Sequence, residues 1–139
     1  MTQLKQYLLA LILLLVALPV RAQEGEGIRF FKGTFEEALK EAKKQGKPLF
    51  VDFYATWCGP CKKMEKTIFT QPQVGKLFNE KFVSLQMDAE KPENVETAKK
   101  YKVDAFPTLG FIDTEGKAIA INVGFMNADE LIEMARTAV

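Results

Sequence analysis

The sequence predicts an α/β domain, a mixed central β-sheet flanked by helices on both faces, from three observations. Apolar runs of strand length alternate with segments of helical periodicity from residue 34 onward. One run, Leu49 to Tyr54, is almost continuously apolar, as a strand buried on both faces would be. Late in the chain Asp113-Thr114-Glu115-Gly116 is a strong turn signal, so a hairpin closes there.

The chain has 139 residues, enough for one domain with a real core. Its opening differs from the rest. Lys5 precedes an unbroken apolar run, Leu8 to Leu18, then Pro19 and Val20-Arg21-Ala22. That is the charged start, apolar middle and small-residue end of a secretory signal peptide (residues 1–22), with cleavage between Ala22 and Gln23. The alternative is a retained membrane anchor. The run is short for it, since a spanning helix needs about 20 apolar residues. No cysteine directly follows the run, which argues against a lipoprotein. Residues 23–27 are polar and glycine-rich and read as a flexible lead-in, leaving 28–139 as the domain.

Composition narrows the function. Loss of Lys5 and Arg21 lowers Lys+Arg from 19 to 17 against 18 acids, so the exported chain carries a net charge of −1. Charges of both signs are interspersed, and no basic block marks a nucleic-acid or membrane surface. The chain has no histidine, which removes His-based acid–base chemistry and His metal ligation.

The elements follow in order. Ile28 to Phe31 is a short strand candidate. Thr34 stands three residues before Glu37, the capping-box spacing, and Phe35, Ala38, Leu39 and Ala42 make one helical stripe ended by Gly46. After the Leu49–Tyr54 strand, Met64 and Ile68 give an apolar side to a helix whose other side carries Lys62, Lys63 and Lys66. Gln71-Pro72 interrupts it, and Val74, Leu77 and Phe78 indicate a further helical turn or two. Phe82 to Met87 alternates as a strand, Glu93 to Tyr101 reads as a helix, and Leu109 to Ile112 as a strand. Lys117 to Val123 returns antiparallel, and Asn127, three residues before Glu130, caps a last helix. The alternation of helices with strands implies parallel pairing outside that hairpin.

The chemistry lies at Cys58 and Cys61. Cys58 follows a buried strand and opens a helix, where unpaired N–H groups and the helix dipole favour a thiolate. Cysteines that start a helix in a Cys-x-x-Cys pattern titrate at roughly 3.5 to 7.5 rather than about 8.5. Cys58 is therefore the expected attacking sulfur. Cys61, one turn inside and expected to be the less exposed of the two, resolves the mixed disulfide and closes a reversible Cys58–Cys61 bond. Pro60 stands in the first turn, where its missing N–H costs nothing. A structural disulfide closing so short a loop would be a poor staple. A zinc site needs about four ligands, and one chain offers two cysteines.

Asp52 interrupts the apolar strand six residues before Cys58. Burial raises a carboxyl's pKa, so Asp52 is a candidate proton acceptor for Cys61 through water. The alternative is an acid at a strand end pointing into solvent. Trp57 either shields the sulfurs or packs as a half-buried aromatic. Pro107, read locally, is an ordinary trans turn proline, since only about 5–6% of X–Pro bonds are cis.

Trp57-Cys58-Gly59-Pro60-Cys61-Lys62 resembles the active-site motif of the thioredoxin family, and the similarity extends over nearly all of residues 28–139. Val51-Asp52-Phe53 is similar to the family's strand before the motif, with Asp52 at its buried acid. Phe106-Pro107-Thr108 resembles the cis-proline segment, which shifts the expectation for Pro107 to cis, and Val123-Gly124 resembles the glycine near the end of the last strand. The resemblance implies the thioredoxin fold and a substrate groove at Trp57, Gly59, Pro60, Phe106, Pro107 and Thr108. The stretches around Pro48-Leu49-Phe50-Val51-Asp52 and Lys62-Lys63-Met64-Glu65 are most similar to exported bacterial members, including the periplasmic C-terminal domain of DsbD-type transporters. That implies a periplasmic or secreted thiol–disulfide oxidoreductase, of the protein disulfide reductase type, with protein thiols or disulfides as substrates. With it go a membrane-embedded electron donor, no cofactor beyond the cysteines and a monomer, while the charge balance predicts no nucleic-acid partner and the cleaved leader predicts no stable membrane insertion after cleavage. An oxidase or isomerase, or a peptide-binding module without turnover, are the alternatives. The family's lysine partner of the buried acid falls near Ser84 here, so Asp52 lacks that neighbour. The approach to Pro107, Asp104-Ala105-Phe106, also departs from the family pattern.

Overall fold

The computed structural model describes residues 1–5 and 27–139. The apolar run Leu8 to Leu18, the cleavage site at Ala22 and Gln23, and residues 23–26 of the lead-in lie outside the described residues. Among those described, no helix is long and apolar enough to cross a membrane. Gly27, expected to end the lead-in, is packed: a Cβ there would meet Phe69 O at 2.5 Å. Its own carbonyl accepts from the Asn79 amide at 3.0 Å.

The strand expected at Ile28–Phe31 is reduced to one isolated parallel bridge, Phe30 with Ser84. Neighbouring backbone donors are taken elsewhere. Ile28 N–H goes to Phe69 O at 2.8 Å, and Arg29 N–H to Asn79 Oδ1 at 2.8 Å. Helix α1, Phe35–Gln45, follows with the capping box of Thr34 and Glu37 and a left-handed Gly46 (φ 64°) at its end. Then come β1 (Leu49–Tyr54), α2 (Gly59–Thr67), α3 (Pro72–Lys81) and β2 (Val83–Asp88). The sequence indicated only a turn or two for α3, but the helix runs for ten residues. The helix expected at Glu93–Tyr101 begins as a 3₁₀ turn, Pro92–Asn94, and is α-helical only over Val95–Lys100 (α4). Strands β3 (Thr108–Ile112) and β4 (Ala118–Val123) and helix α5 (Ala128–Thr137) complete the domain. A second capping box, Asn127 with Glu130, opens α5.

The sheet order is β2-β1-β3-β4. Only β1 and β2 are parallel, because β3 runs antiparallel to β1 and to β4. This corrects the expectation of parallel pairing outside the hairpin. A crossover that restarts a strand in parallel must carry the chain back along the sheet. The six-residue α4 rises only about 9 Å, whereas a six-residue strand covers about 20 Å. The 3₁₀ turn, α4 and the loop that follows return the chain to the end where β1 and β2 finish, and it enters β3 there, with Thr108 opposite Phe53. That brings Phe106 and Pro107 to the end of the sheet from which Cys58 emerges.

Each face of the sheet has its own core. Leu49, Val51 and Phe53 of β1 pack with Phe35, Ala38 and Ala42 of α1, Ala98 of α4, and Tyr101. Phe50, on the opposite pleat, packs with Met64, Val74, Phe78, Leu131 and Ala135 from α2, α3 and α5. Helices thus cover both faces, as expected. The turn Asp113–Gly116 forms: Asp113 Oδ1 accepts from the N–H groups of Glu115 and Lys117, each at 2.9 Å.

Candidate active site

Ala55-Thr56-Trp57 carries the chain from β1 into α2, and Cys58 is the N-cap residue of that helix. An N-cap side chain normally offers an oxygen to the free N–H groups of the first turn. Here the acceptor is sulfur: Cys61 N–H points at Cys58 Sγ over 3.2 Å. The same unpaired amides and the helix dipole would hold a thiolate at this atom. Pro60 occupies the first turn, and Gly59 has open space around its Cα. Cys58 and Cys61 form a disulfide with their Cα atoms 5.3 Å apart.

Both cysteines are buried, Cys58 at 2% exposure and Cys61 at 5%. Cys61 is therefore not the less exposed of the two. The reason is local packing: Ala55, Tyr54 and Phe106 close over the pair. Trp57 is 67% exposed rather than half-buried. Its indole N–H donates to Glu90 Oε1 at 2.6 Å, and its ring meets Phe106 edge-on at 5.9 Å.

Asp52 lies on the Phe50 pleat of β1, 2% exposed, so it is not a solvent-facing acid at a strand end. Its Oδ2 accepts from Gln86 Nε2 at 3.2 Å, while Oδ1 is buried without a protein partner. Burial pushes the Asp52 carboxyl up to about 7, the Gln86 hydrogen bond opposes this, and the negative charge of Glu65 adds to it. Burial, with Asp88, Asp52 and Glu65 nearby, also raises the Tyr54 phenol. A cavity of about 200 Å³ is lined by Asp52, Tyr54, Cys61, Lys62, Glu65 and Gln86, among others. The acid and the second cysteine thus share one space, large enough for water.

The Phe106–Pro107 peptide is cis, as the resemblance implies and the local reading did not. Pro107 O accepts from Gly124 N–H at 2.8 Å, with Gly124 at φ 103°. Phe106 is half-buried. Thr108 is 1% exposed and its hydroxyl donates to Ala105 O at 2.7 Å, so its side chain braces the turn before β3. Ser84 is buried with an unpartnered hydroxyl.

Sequence reading missed three residues of the site: Gln86, Glu65 and Glu90. Glu65 was open to discovery, one helical turn beyond Cys61 on α2. Gln86 was not, because it meets Asp52 only through the β1–β2 register. Among the described residues no group of three His, Cys, Asp or Glu is placed to hold a metal ion.

Fold and site together define the class of thioredoxin-fold thiol–disulfide oxidoreductases. The profile of the thioredoxin-like domain matches residues 35–138, and the chain belongs to that family. It is 38% identical over 113 residues to the thiol:disulfide interchange protein DsbD of Vibrio cholerae, covering 76% of this chain and 19% of that protein. The chain thus spans about a fifth of the length of this curated relative. Among solved structures it resembles a putative disulphide-isomerase from Bacteroides thetaiotaomicron, with TM-score 0.72 and 45% identity, covering 83% of this chain and 95% of that one. It also resembles the reduced DsbD C-terminal domain of Neisseria meningitidis, with TM-score 0.64 and 31% identity over 75% of this chain and 93% of that one.

Proposed function

We propose that the protein is an exported protein disulfide reductase of the bacterial periplasm, working by dithiol–disulfide exchange through Cys58-Gly59-Pro60-Cys61. The observation that carries this reading is the sulfur of Cys58 in the N-cap position of α2, bonded to a Cys61 that shares a cavity with a buried acid. In the reduced protein the Cys58 thiolate attacks one sulfur of a substrate disulfide. A mixed disulfide forms, and the substrate's other sulfur leaves as a thiolate. Cys61 gives its proton to Asp52, through water in the cavity, and attacks Cys58 Sγ. The second substrate thiolate leaves, and two electrons have passed from the dithiol to the substrate.

Trp57, Phe106 and Pro107 line the groove that holds the substrate chain, with Gly59 and Pro60 at its rim. The name of the DsbD relatives, thiol:disulfide interchange protein, supports the chemistry. Their likeness also supports a membrane-embedded dithiol as the electron donor. The Leu8–Leu18 run and Val20-Arg21-Ala22 support export with cleavage before Gln23, which leaves residues 23–139 with the domain at 28–139; in this reading the domain acts as a monomer. The direction of electron flow is tested by the reduction potential of the purified protein. A value near about −270 mV supports a reductase, and one near about −120 mV makes it an oxidant instead.

A further inference from the structure

The two oxygens of the Asp52 carboxyl have different surroundings. Oδ2 is held by the Gln86 amide at 3.2 Å. Oδ1 is buried and has no protein partner. Gln86 reaches this place through the β1–β2 ladder, which sets it directly opposite Asp52. Both side chains line the cavity that also contains Cys61. The titratable and charged groups around that cavity are Cys61, Lys62 and Glu65 from α2 and Tyr54 from β1. On the other flank of β1 the residue opposite Asp52 is Leu109, which carries no charge.

We propose that Gln86 is a positioning residue for the resolving proton transfer, its amide holding one oxygen of Asp52 so that the other is free to take the Cys61 proton. This rests on the reading of Asp52 as the acceptor. The chemistry of glutamine suits the task. Its side chain carries both a donor NH₂ and an acceptor C=O. Its NH₂ can donate to Oδ2 in the carboxylate before transfer and still donate to Oδ2 in the carboxylic acid after it, when the proton sits on Oδ1. A lysine is a donor only, so it favours the charged acid alone. Ser84, the neighbouring polar residue on this face of β2, carries no charge, and Gln86 is the polar side chain bonded to Asp52.

The effect has a sign that substitution can reverse. An amide donor favours the ionised carboxyl, whereas burial and Glu65 disfavour it. Gln86→Leu, similar in size and unable to donate, raises the pH at which Asp52 can accept a proton. Gln86→Lys lowers it. The test uses the full protein with Cys58 in a mixed disulfide with glutathione, and follows the rate at which Cys61 releases glutathione across pH. Asp52→Asn is the reference that identifies the Asp52 step in the profile. The expected result is a midpoint at least about one pH unit higher in Gln86→Leu, equivalent to about tenfold in proton affinity, and a lower midpoint in Gln86→Lys. Should Gln86→Leu fail to fold, Gln86→Glu, close to the parent in shape, carries the same upward sign.

A merely structural role for Gln86 would change unfolding without moving the midpoint. Unmoved midpoints, with the step still lost in Asp52→Asn, overturn the role of Gln86 and leave that of Asp52 standing. Persistence of the step in Asp52→Asn overturns both.

Discussion

Two neighbouring rungs of the β1–β2 ladder face the same side of the sheet and do opposite things. At the first, Phe50 sits opposite Ser84. Its ring is enclosed by Phe78, Phe111 and Phe69 at centroid distances of 4.8, 5.2 and 6.1 Å. Two residues on, Asp52 sits opposite Gln86 beside a cavity of about 200 Å³. The side-chain period of a strand places both on one face. The aromatic rung is filled with side chains and fixes the sheet against α3. The polar rung is left open, and there a buried acid reaches the space under the second cysteine. The same strand thus passes from packing to chemistry within one pleat.

The sulfurs give the largest test of that division. Cys58→Ser reduces disulfide exchange to background, while Cys61→Ser, which still attacks but cannot resolve, accumulates mixed disulfides with its substrates. Non-reducing gels and an insulin-type reduction assay read both outcomes. Turnover by Cys61→Ser at the parent rate would show that the roles of the two cysteines are wrongly assigned.

The rungs themselves respond differently. Phe50→Ala leaves a hole in the aromatic cluster and lowers stability by about 3–5 kcal/mol at any pH. Asp52→Asn acts through pH. In the folded protein the carboxyl holds its proton up to about 7, against 3.8 for the ordinary group. The folded state therefore binds more protons between those values, and stability is full below the lower one and falls as pH rises towards the upper. About three units of difference correspond to at most about 4 kcal/mol. Asp52→Asn removes that slope, so the variant outlasts the parent in denaturant at about pH 8 and gains little at about pH 4, while its resolving step slows. Denaturant midpoints of the oxidised protein at the two pH values check this. A parallel loss at both would mean that Asp52 is only a structural polar group.

Much of this division was legible from local sequence. Cap and turn residues such as Thr34, Asn127 and Asp113 act within a few positions, so they announced α1, α5 and the β3–β4 hairpin directly. The apolar run Leu49–Tyr54 announced β1, and Cys58 after it announced the helix-start sulfur. Contacts made across the sheet were not legible. The direction of β3 depends on the end of the sheet to which the connection after β2 returns, and a run of periodic residues does not display that path. The Ile28–Phe31 strand failed because Asn79 and Phe69, distant in sequence, took its hydrogen bonds. Gln86 looked like any polar residue on an alternating strand until register set it against Asp52. The packing that buries both cysteines likewise includes Phe106, nearly fifty positions from Cys58.

The account depends on Cys58 being acidic because its sulfur takes the N-cap place of α2. Titration of the reduced protein by thiolate ultraviolet absorbance, with Cys58→Ser to assign the signal, tests this directly. The account predicts a Cys58 pKa within roughly 3.5 to 7.5. A value at or above about 8.5, that of an ordinary thiol, contradicts it.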